Sequence, residues 1–320
     1  MNKQGSSETT REASIFNLQP FLSYYSANDW SKNTIVQQPT RTFLEWFIGF
    51  TEGDGSFQVV KYPTIKNPKN TRPIFTINQK EPEILYTIKK KLGFGTVIKI
   101  KADKNVREHY RYRVYKLNHI FQLISLFQGN LVLKKVHTRF QLWVESYNLL
   151  CDQRNSGSLA KDVTFGGVTI INLNSAWLTG FTDAEGCFYA SGKIKGNSIS
   201  SPHFKFSLVQ KHGLELLERI ATLVSTNQSV DGVSTPRCTK SIYKIKTKIE
   251  TYRLEYTKKA DLLIFIDVFD KYPLLCRKKR LTYVRWKRLF FRALPIPGND
   301  KILKRYKRLI LAVGKLHRST

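Results

Sequence analysis

The chain has 320 residues, 41% of them hydrophobic, so it can bury a substantial core and, at about 150 residues per domain, is long enough for two domains. Its 53 Lys and Arg residues against 24 Asp and Glu residues give a net charge of +29, which repels itself unless a polyanion such as nucleic acid neutralises it. No apolar run reaches the roughly 18 residues of a transmembrane helix, and the four scattered cysteines lack zinc-ligand spacing, so we expect a soluble protein without a zinc site.

Residues 1–41 are rich in Ser, Thr, Asn and Gln, with aromatic residues at intervals. This composition predicts a weakly ordered leader in which one segment, near Phe16 to Trp30, docks on the rest of the protein. The leader has neither the apolar stretch of a secretory signal nor the character of a transit peptide. Either the protein acts in the nucleus or cytosol, or it is made inside an organelle.

An apolar run from Phe43 to Phe50 predicts a buried helix that begins near Thr42 as its N-cap and ends at Gly55, read as a C′ glycine. Period-two alternation then predicts antiparallel strands. They lie at 57–62, 73–79, 96–101 and 110–116. A helix is expected at 81–93, between the second and third strands, and two more follow at 117–127 and 131–150.

The same pattern occurs twice, as FIGFTEGDG at 47–55 and LTGFTDAEG at 178–186, at an offset of 131 (180 − 49 = 131). The offset persists from Phe75 to Phe206 and grows to 143 by the two tryptophans Trp143 and Trp286, so about twelve extra residues are expected within 226–250. We therefore predict an α+β fold with a duplicated αββαββα(α) unit and two antiparallel sheets. The first unit is 42–150, the linker 151–171, the second unit 172–293 and a basic extension 294–320.

Each repeated motif carries small residues four positions apart on one helix face, Gly49 with Gly53 and Gly180 with Ala184. Small residues allow helix backbones to approach closely, so we expect the two motif helices to pack together about a pseudo-twofold axis.

Each motif helix also ends with two acids, Glu52 with Asp54 and Asp183 with Glu185. Negative charge at a helix C-terminus opposes the helix dipole by about 0.3–1 kcal/mol per residue, and the predicted packing brings both acidic ends together. A local rule broken twice at equivalent positions points to a functional site. Bound divalent cations, Mg²⁺ before others, would relieve the repulsion.

The doubled motif, its spacing and the basic charge resemble the two-motif LAGLIDADG homing endonucleases, over about residues 42–293. The resemblance implies a monomer whose two sheets form a DNA-binding saddle, and which makes a double-strand break in a long, asymmetric site, leaving short 3′ overhangs. The chemistry would be metal-dependent phosphodiester hydrolysis. Some members of that family are instead RNA-binding maturases of their host intron, and this alternative stays open.

By position, the resemblance implies that Asp54 and Glu185 bind the metal ions, with Glu52 and Asp183 as supporting groups behind them. It also implies catalytic roles for Gln79 and Gln210, at the ends of the second strand of each unit. A lysine near the start of the final helix matches Lys279 in the second unit. In the first unit the same count falls on Val136, so Lys135 is the substitute.

Strands with alternating basic residues are expected to line the DNA groove, where Arg and Lys can pair with guanine. The candidates are Lys80, Arg111, Arg113, Lys211, Lys244, Lys246, Lys248 and Arg253.

The resemblance implies Mg²⁺ as the cofactor, Mn²⁺ as a substitute and Ca²⁺ as an ion that supports binding without cleavage. Double-stranded DNA is the expected partner, intron RNA a further candidate, and no membrane is expected. Family habit favours an intron-encoded, mitochondrial protein, with the chloroplast as the alternative.

Overall fold

A computed structural model describes most of both predicted units. The described ranges are 16–27, 38–61, 71–103, 107–154, 171–191, 194–195, 198–199, 202–226, 241–245 and 249–292, with single positions 304, 308 and 311. Most of the linker 151–171 and of the basic extension 294–320 lies outside these ranges.

The first unit follows the predicted element order, preceded by one short helix that packs on it. Its elements are α1 (Gln19–Ala27), α2 (Arg41–Asp54), β1 (Gly55–Lys61), β2 (Thr71–Gln79), α3 (Glu83–Leu92), β3 (Thr96–Ile100), β4 (His109–Val114), α4 (Leu117–Phe127) and α5 (Lys134–Gln153). Helix α1 falls inside the leader segment expected to dock, and its Phe21 is fully buried. Asn130 ties the segment down by donating to the carbonyl of Asn17 at 2.8 Å.

The second unit repeats this order and adds a two-stranded ribbon. Its elements are α6 (Trp177–Glu185), β5 (Gly186–Ser191), β6 (Ile194–Lys195), β7 (Ser198–Ile199), β8 (His203–Lys211), α7 (Leu214–Thr226), β9 (Ser241–Ile245), β10 (Thr251–Tyr256), α8 (Lys259–Lys271) and α9 (Arg277–Arg292). Helices α5 and α9 begin at positions 143 apart (277 − 134 = 143), as the tryptophan spacing predicts.

Each unit holds one four-stranded antiparallel sheet, in the orders β1-β2-β4-β3 and β5-β8-β10-β9. Phe75 pairs with Phe57 in the first sheet and Phe206 with Phe188 in the second, so the 131-residue offset extends to strand register. Between α7 and β9 the offset rises to 145, because Val97 and Ile242 occupy equivalent places (242 − 97 = 145). The added residues therefore fall within the predicted region.

One face of each sheet packs against helices and the other, here called the open face, does not. In β2 the aromatic ring of Phe75 is buried among Phe57 and Phe127, whereas Asn78 is exposed. This alternation is that of antiparallel sheets with one packed and one solvated side. None of the described helices is long and apolar enough to cross a membrane.

Two local predictions at the first motif helix are wrong in detail. The N-cap is Thr40, whose hydroxyl accepts from the amide of Phe43 at 3.3 Å, rather than Thr42. Gly55 has an extended backbone (φ −77°, ψ 151°) and starts β1, so it is not a left-handed C′ residue. Glycine is needed there because a Cβ would lie 2.5 Å from the Thr51 methyl group. Gly93, by contrast, ends α3 with φ 79° as predicted.

Candidate active site

The two motif helices, α2 and α6, cross with their backbones in contact. A Cβ on Gly49 would lie 2.0 Å from the carbonyl oxygen of Trp177, and a Cβ on Gly180 would lie 1.9 Å from that of Trp46. Farther along, a Cβ on Gly53 would meet the Cβ of Ala184 at 2.3 Å. Only glycine fits these places, and the predicted close packing of the two helices is confirmed.

Reciprocal hydrogen bonds between tryptophans and acids cross this contact. The indole of Trp46 donates to Asp183 Oδ2 at 2.8 Å, and the indole of Trp177 donates to Glu52 Oε2 at 2.6 Å. The two tryptophans differ by the repeat offset (177 − 46 = 131). The sequence prediction missed them, although the offset would have identified the pair.

Glu52 and Asp183 are buried behind the site and held by backbone amides. Glu52 Oε1 accepts from the amides of Val132 and Leu133 at 2.7 and 2.6 Å, and Asp183 Oδ2 accepts from the amide of Leu275 at 2.7 Å. These amides immediately precede the final long helix of each unit. The earlier acid of each motif therefore joins the helix crossing to the start of α5 or α9.

Burial raises the pKa of both Glu52 and Asp183 to about 7, against the lowering effect of their N–H donors. Both oxygens of Glu52 are thus occupied by protein donors, whereas Asp183 keeps one buried oxygen, Oδ1, without a partner among the described residues. Their position agrees with the supporting role that the family resemblance implies.

Asp54 is the last residue of α2 and Glu185 is the last residue of α6. Burial raises the pKa of Asp54, opposed by a hydrogen bond from Gln79 and by the charge of Lys279. Burial and then the negative charge of Asp54 raise the pKa of Glu185 to about 7, while Lys135, Lys279 and Lys211 lower it. The negative charge of Asp54 thus acts on the pKa of Glu185, as the sequence predicted for the acidic helix ends.

The two strand-end glutamines differ in what they contact. The Gln79 amide donates to Asp54 Oδ2 at 2.6 Å and so orients that carboxylate. Gln210 Oε1 accepts from the Lys135 ammonium and from the Lys211 amide, both at 2.9 Å. Its Nε2 is buried and has no acceptor among the described residues. A water or phosphate oxygen beside Glu185 would satisfy this donor.

The two candidate lysines are not equivalent to each other. Lys135 reaches across to the other unit, where it also donates to the Lys211 carbonyl at 2.9 Å. Its counterpart by the helix offset is Lys278, which pairs with Glu81 of the first unit at 2.6 Å. Lys279 instead donates to the Gly186 carbonyl of its own unit, and the first unit has the buried Val136 in that place.

The chemistry of these groups fits a divalent cation that keeps part of its water. No cluster of three or more His, Cys, Asp or Glu side chains that could hold a metal ion occurs in the described ranges, so these residues offer a pair of carboxylates at most. Mg²⁺ is usually bound through one or two carboxylates plus waters and substrate phosphates, and it does not need an all-protein cage. A cleft of about 420 Å³ beside Asp54, lined by Gln79, Lys278 and Lys279, leaves room for such ligands.

Strand register decides which predicted DNA-binding residues share the open face. Directly opposite residues lie on the same face of a sheet, so Arg111 and Arg113 lie with Asn78 and Thr76 on the open face of the first sheet. Arg253, opposite Val209, lies on the open face of the second. Lys80 and Lys211 sit at the ends of β2 and β8, toward the acids.

The expected place of Lys244 on the open face is wrong. Lys244 lies opposite Tyr252, which lies opposite Gln210, and this row belongs to the helix-packed face. Its ammonium pairs with Glu250 at 3.4 Å. The error arose from treating 243–256 as one strand, whereas β9 and β10 are separate. Lys246 and Lys248 lie outside the described residues.

One protein-family model matches this chain twice, once in each of the two repeated units. A family model described as "LAGLIDADG endonuclease" matches residues 47–147 and again residues 178–290, which together are more than half of the chain. The chain belongs to the LAGLIDADG endonuclease family. Each match contains one motif helix, one sheet and the helices that pack on it, so the family assignment covers both units.

Curated relatives of this LAGLIDADG chain include fungal intron-encoded proteins. "Probable intron-encoded endonuclease 4" of Neurospora crassa is 33% identical over 261 residues, which are 81% of this chain and 42% of that protein. "Probable intron-encoded endonuclease Cox1-I1b" of Schizosaccharomyces pombe is 27% identical over 296 residues, 86% of this chain and 69% of that protein. The chain thus spans less than half of the first relative and about two thirds of the second.

Solved structures similar to this LAGLIDADG chain include meganucleases. I-SmaMI bound to uncleavable DNA has a TM-score of 0.61 at 17% identity, covering 86% of this chain and 100% of that one. I-SmaMI bound to uncleaved DNA in the presence of calcium ions has a TM-score of 0.57 at 16% identity, covering 85% and 98%. The predicted duplicated α+β fold with two antiparallel sheets is confirmed.

Proposed function

We propose that this chain is a site-specific homing endonuclease that makes a double-strand break in a long, asymmetric DNA target by divalent-metal-dependent hydrolysis. The observation that carries the proposal is the pair of motif-end acids, Asp54 and Glu185: the charge of Asp54 raises the pKa of Glu185, and the charges of Lys135, Lys279 and Lys211 lower it. Acids and cations together suit phosphodiester hydrolysis. The acids can hold a metal ion at the phosphate, and the cations can stabilise the negative charge of the transition state.

Each unit would contribute one metal-binding carboxylate. Asp54 is oriented by the Gln79 amide, and in the second unit the buried Nε2 of Gln210, which has no acceptor among the described residues, can donate to a water or phosphate oxygen. A divalent ion bound there would polarise the phosphate and lower the pKa of attacking water. Lys279, which the acids feel electrostatically, would offset the charge that grows on the phosphate oxygens in the transition state.

Double-stranded DNA is the proposed partner, with the open faces of both sheets against it. Arg111, Arg113 and Arg253 lie on these faces, and an antiparallel ribbon fits the major groove. The related fold of I-SmaMI is known bound to DNA, which supports this choice. We propose a monomer, because both halves of the site come from one chain.

Mg²⁺ is the proposed cofactor and Mn²⁺ a substitute, since both accept hard carboxylate oxygens. Ca²⁺ is expected to support binding but not cleavage. The structure of I-SmaMI with uncleaved DNA in the presence of calcium ions is in keeping with that expectation.

An intron-encoded protein of an organelle, most simply the mitochondrion, is the proposed setting. The names of the fungal relatives support it, because they refer to introns and in one case to Cox1, a mitochondrial gene. No observation in the described structure favours the RNA maturase alternative. A protein that only bound RNA would gain by losing the repulsion between Asp54 and Glu185.

The decisive experiment is selection of cleaved sites from a randomised DNA library by the purified chain with Mg²⁺, repeated with Asp54→Asn and Glu185→Gln. We expect one long site to be cut by the unaltered chain and cleavage to fall by at least about 100-fold in either variant. Binding of the selected site with Ca²⁺ should persist in both variants.

A matched control is Glu108→Gln, which removes an exposed acid that pairs with Lys99 and is not among the residues that line the cleft. Its cleavage should equal that of the unaltered chain. Full cleavage by the Asp54→Asn, Glu185→Gln double variant would refute the site. Selective binding of a structured intron RNA, without cleavage of any DNA, would favour the maturase.

A further inference from the structure

The open faces of the two sheets carry opposite charges at one equivalent position. In the first sheet Arg113 lies opposite Thr76, and in the second sheet Glu255 lies opposite Ser207. Thr76 and Ser207 are related by the repeat offset (207 − 76 = 131). Arg113 and Glu255 therefore occupy the same place in the two pseudo-symmetric units.

The carboxylate of Glu255 is fixed by two neighbours on the same face. The Lys205 ammonium lies 3.1 Å from Oε2, and the Tyr243 hydroxyl donates to the same oxygen at 3.1 Å. The Glu255 side chain is 19% exposed, so it is held in the sheet while still reaching the surface. Both of these contacts fall on Oε2, so a further donor would be accepted at Oε1.

Arg113 is placed differently. Its guanidinium lies over the Tyr115 ring, 4.8 Å from the centroid, and its buried Nε has no acceptor within the part of the chain that the structure describes. Its neighbour Arg111, by comparison, already donates to Asn78 at 2.7 Å. Arg113 is thus a positioned cation with donors to spare, on an open face.

We propose that Arg113 and Glu255 make the two half-sites unequal at one pair of symmetry-related positions. Arg113 selects guanine in the half-site under the first unit, and Glu255 selects cytosine and rejects guanine in the half-site under the second. The inference rests on the proposed function, and it assigns to Glu255 a role in specificity, with Lys205 and Tyr243 as the groups that position its carboxylate.

The pairing follows from what each base presents in the major groove. Guanine shows two acceptors, N7 and O6, which match the arginine fork and repel a carboxylate. Cytosine shows the N4 amino donor, which a carboxylate accepts. Adenine also has an amino donor, but its N7 acceptor lies beside it and opposes a carboxylate. When Arg113 and Glu255 face the equivalent strands of their half-sites, they require different bases at symmetry-related positions, and such a target is asymmetric.

The experiment is a cleavage profile, in which every single-base variant of the target selected by the unaltered chain is cut in competition. The variants compared are Glu255→Gln, Glu255→Arg and Arg113→Glu. At one position the unaltered chain should prefer cytosine over guanine by about tenfold or more. Glu255→Gln should flatten that preference to within about threefold, because the amide both donates and accepts. Glu255→Arg should reverse it toward guanine, and Arg113→Glu should change the symmetry-related position from guanine to cytosine.

Glu108→Gln is the control, since Glu108 pairs with Lys99, which lies opposite Tyr110 on the helix-packed face. Its profile should match that of the unaltered chain. Identical base preferences in the unaltered chain and Glu255→Arg would overturn the inference, and would mean that Glu255 only neutralises Lys205. Failure of the proposed function is distinguishable, because the unaltered chain would then cut no sequence at all.

Discussion

At the scale of single residues, the two motif-end acids have unlike surroundings although they occupy equivalent places. Asp54 accepts a hydrogen bond from Gln79, whereas Gln210 Oε1 accepts from Lys135 and Lys211. The pKa of Glu185 is shifted by burial and by neighbouring charges. Glu185 therefore has the larger reason to bind a proton when no metal is present. Glu185 is therefore the acid whose ionisation is best followed by measuring activity against pH.

Cleavage is expected to depend on pH through Glu185. Burial and the charge of Asp54 raise the pKa of Glu185 to about 7, so the carboxylate is protonated below that pH and cannot hold a cation. At low Mg²⁺, single-turnover cleavage should rise with pH, with a midpoint near 7. Because metal and proton compete, each tenfold rise in Mg²⁺ should move the midpoint down by up to about one pH unit.

DNA binding without metal supplies the internal control, because its pH dependence has the opposite sign to that of cleavage. Ionising Glu185 beside DNA phosphates adds repulsion, so metal-free affinity, measured by fluorescence anisotropy, should weaken as the pH rises. A cleavage midpoint that stays fixed as Mg²⁺ varies would contradict the competition.

At the scale of elements, the crossing of α2 and α6 is the centre of the molecule. Two glycines bring the backbones together, two indoles bond to the acids of the opposite helix, and the same acids bind the amides that start α5 and α9. The close packing of the two helices and the hydrogen bonds of the buried acids are thus found at the same helix crossing.

Gly49→Ala should destabilise the fold, although alanine is favoured over glycine by about 1 kcal/mol in an exposed helix. The added methyl group would lie 2.0 Å from the Trp177 carbonyl, so we expect a net loss of about 2 kcal/mol or more in the free energy of unfolding, measured in urea. Trp46→Phe keeps the ring but leaves Asp183 without the indole donor, at a cost of about 1–3 kcal/mol.

Leu142→Ala is the comparison for both variants. Leu142 lies on α5 with 57% of its surface exposed, and its truncation should change the free energy of unfolding by less than about 0.5 kcal/mol. Equal stability of Gly49→Ala and Leu142→Ala would show that the helices can separate without penalty, contrary to the close crossing.

The sequence predicted those features that repeat and missed those that arise from pairing. The offset of 131 located both motif helices, both strand-end glutamines and the growth of the second unit before β9. The later offset of 143 already equates Lys135 with Lys278, but it could not show that Lys135 contacts Gln210 and Lys278 contacts Glu81, because these pairs of residues meet only in the fold. Lys244 was placed on the wrong face because face depends on register, which its own strand does not determine.

At the scale of the whole molecule, the net charge of +29 far exceeds what the cleft and the open faces use. Much of the excess lies in α9 and in the basic extension, of which only single positions are described. Such charge gains affinity for any duplex by releasing counterions, independently of base sequence. Under the proposed function, affinity and specificity would therefore come from different parts of the chain.

Affinity for DNA should fall steeply with salt on every sequence. A plot of log affinity against log salt, measured with Ca²⁺, should be linear with a slope of about −5 or steeper, corresponding to about six or more neutralised phosphates. Random DNA should keep a slope similar to that of the selected site and differ mainly by a constant offset. Slopes near zero on both would exclude phosphate contact as the main source of affinity.

The backbone contact at Gly49 and Gly180 also has a geometric consequence. Asp54 and Glu185 are each five residues farther along these helices, so the helix contact at the two glycines sets the distance between the two acids. Under the proposed function, the distance between the two broken phosphates, and with it the overhang length, is then a property of the helix pair. The sheets could be altered to read another sequence without changing the stagger of the cut.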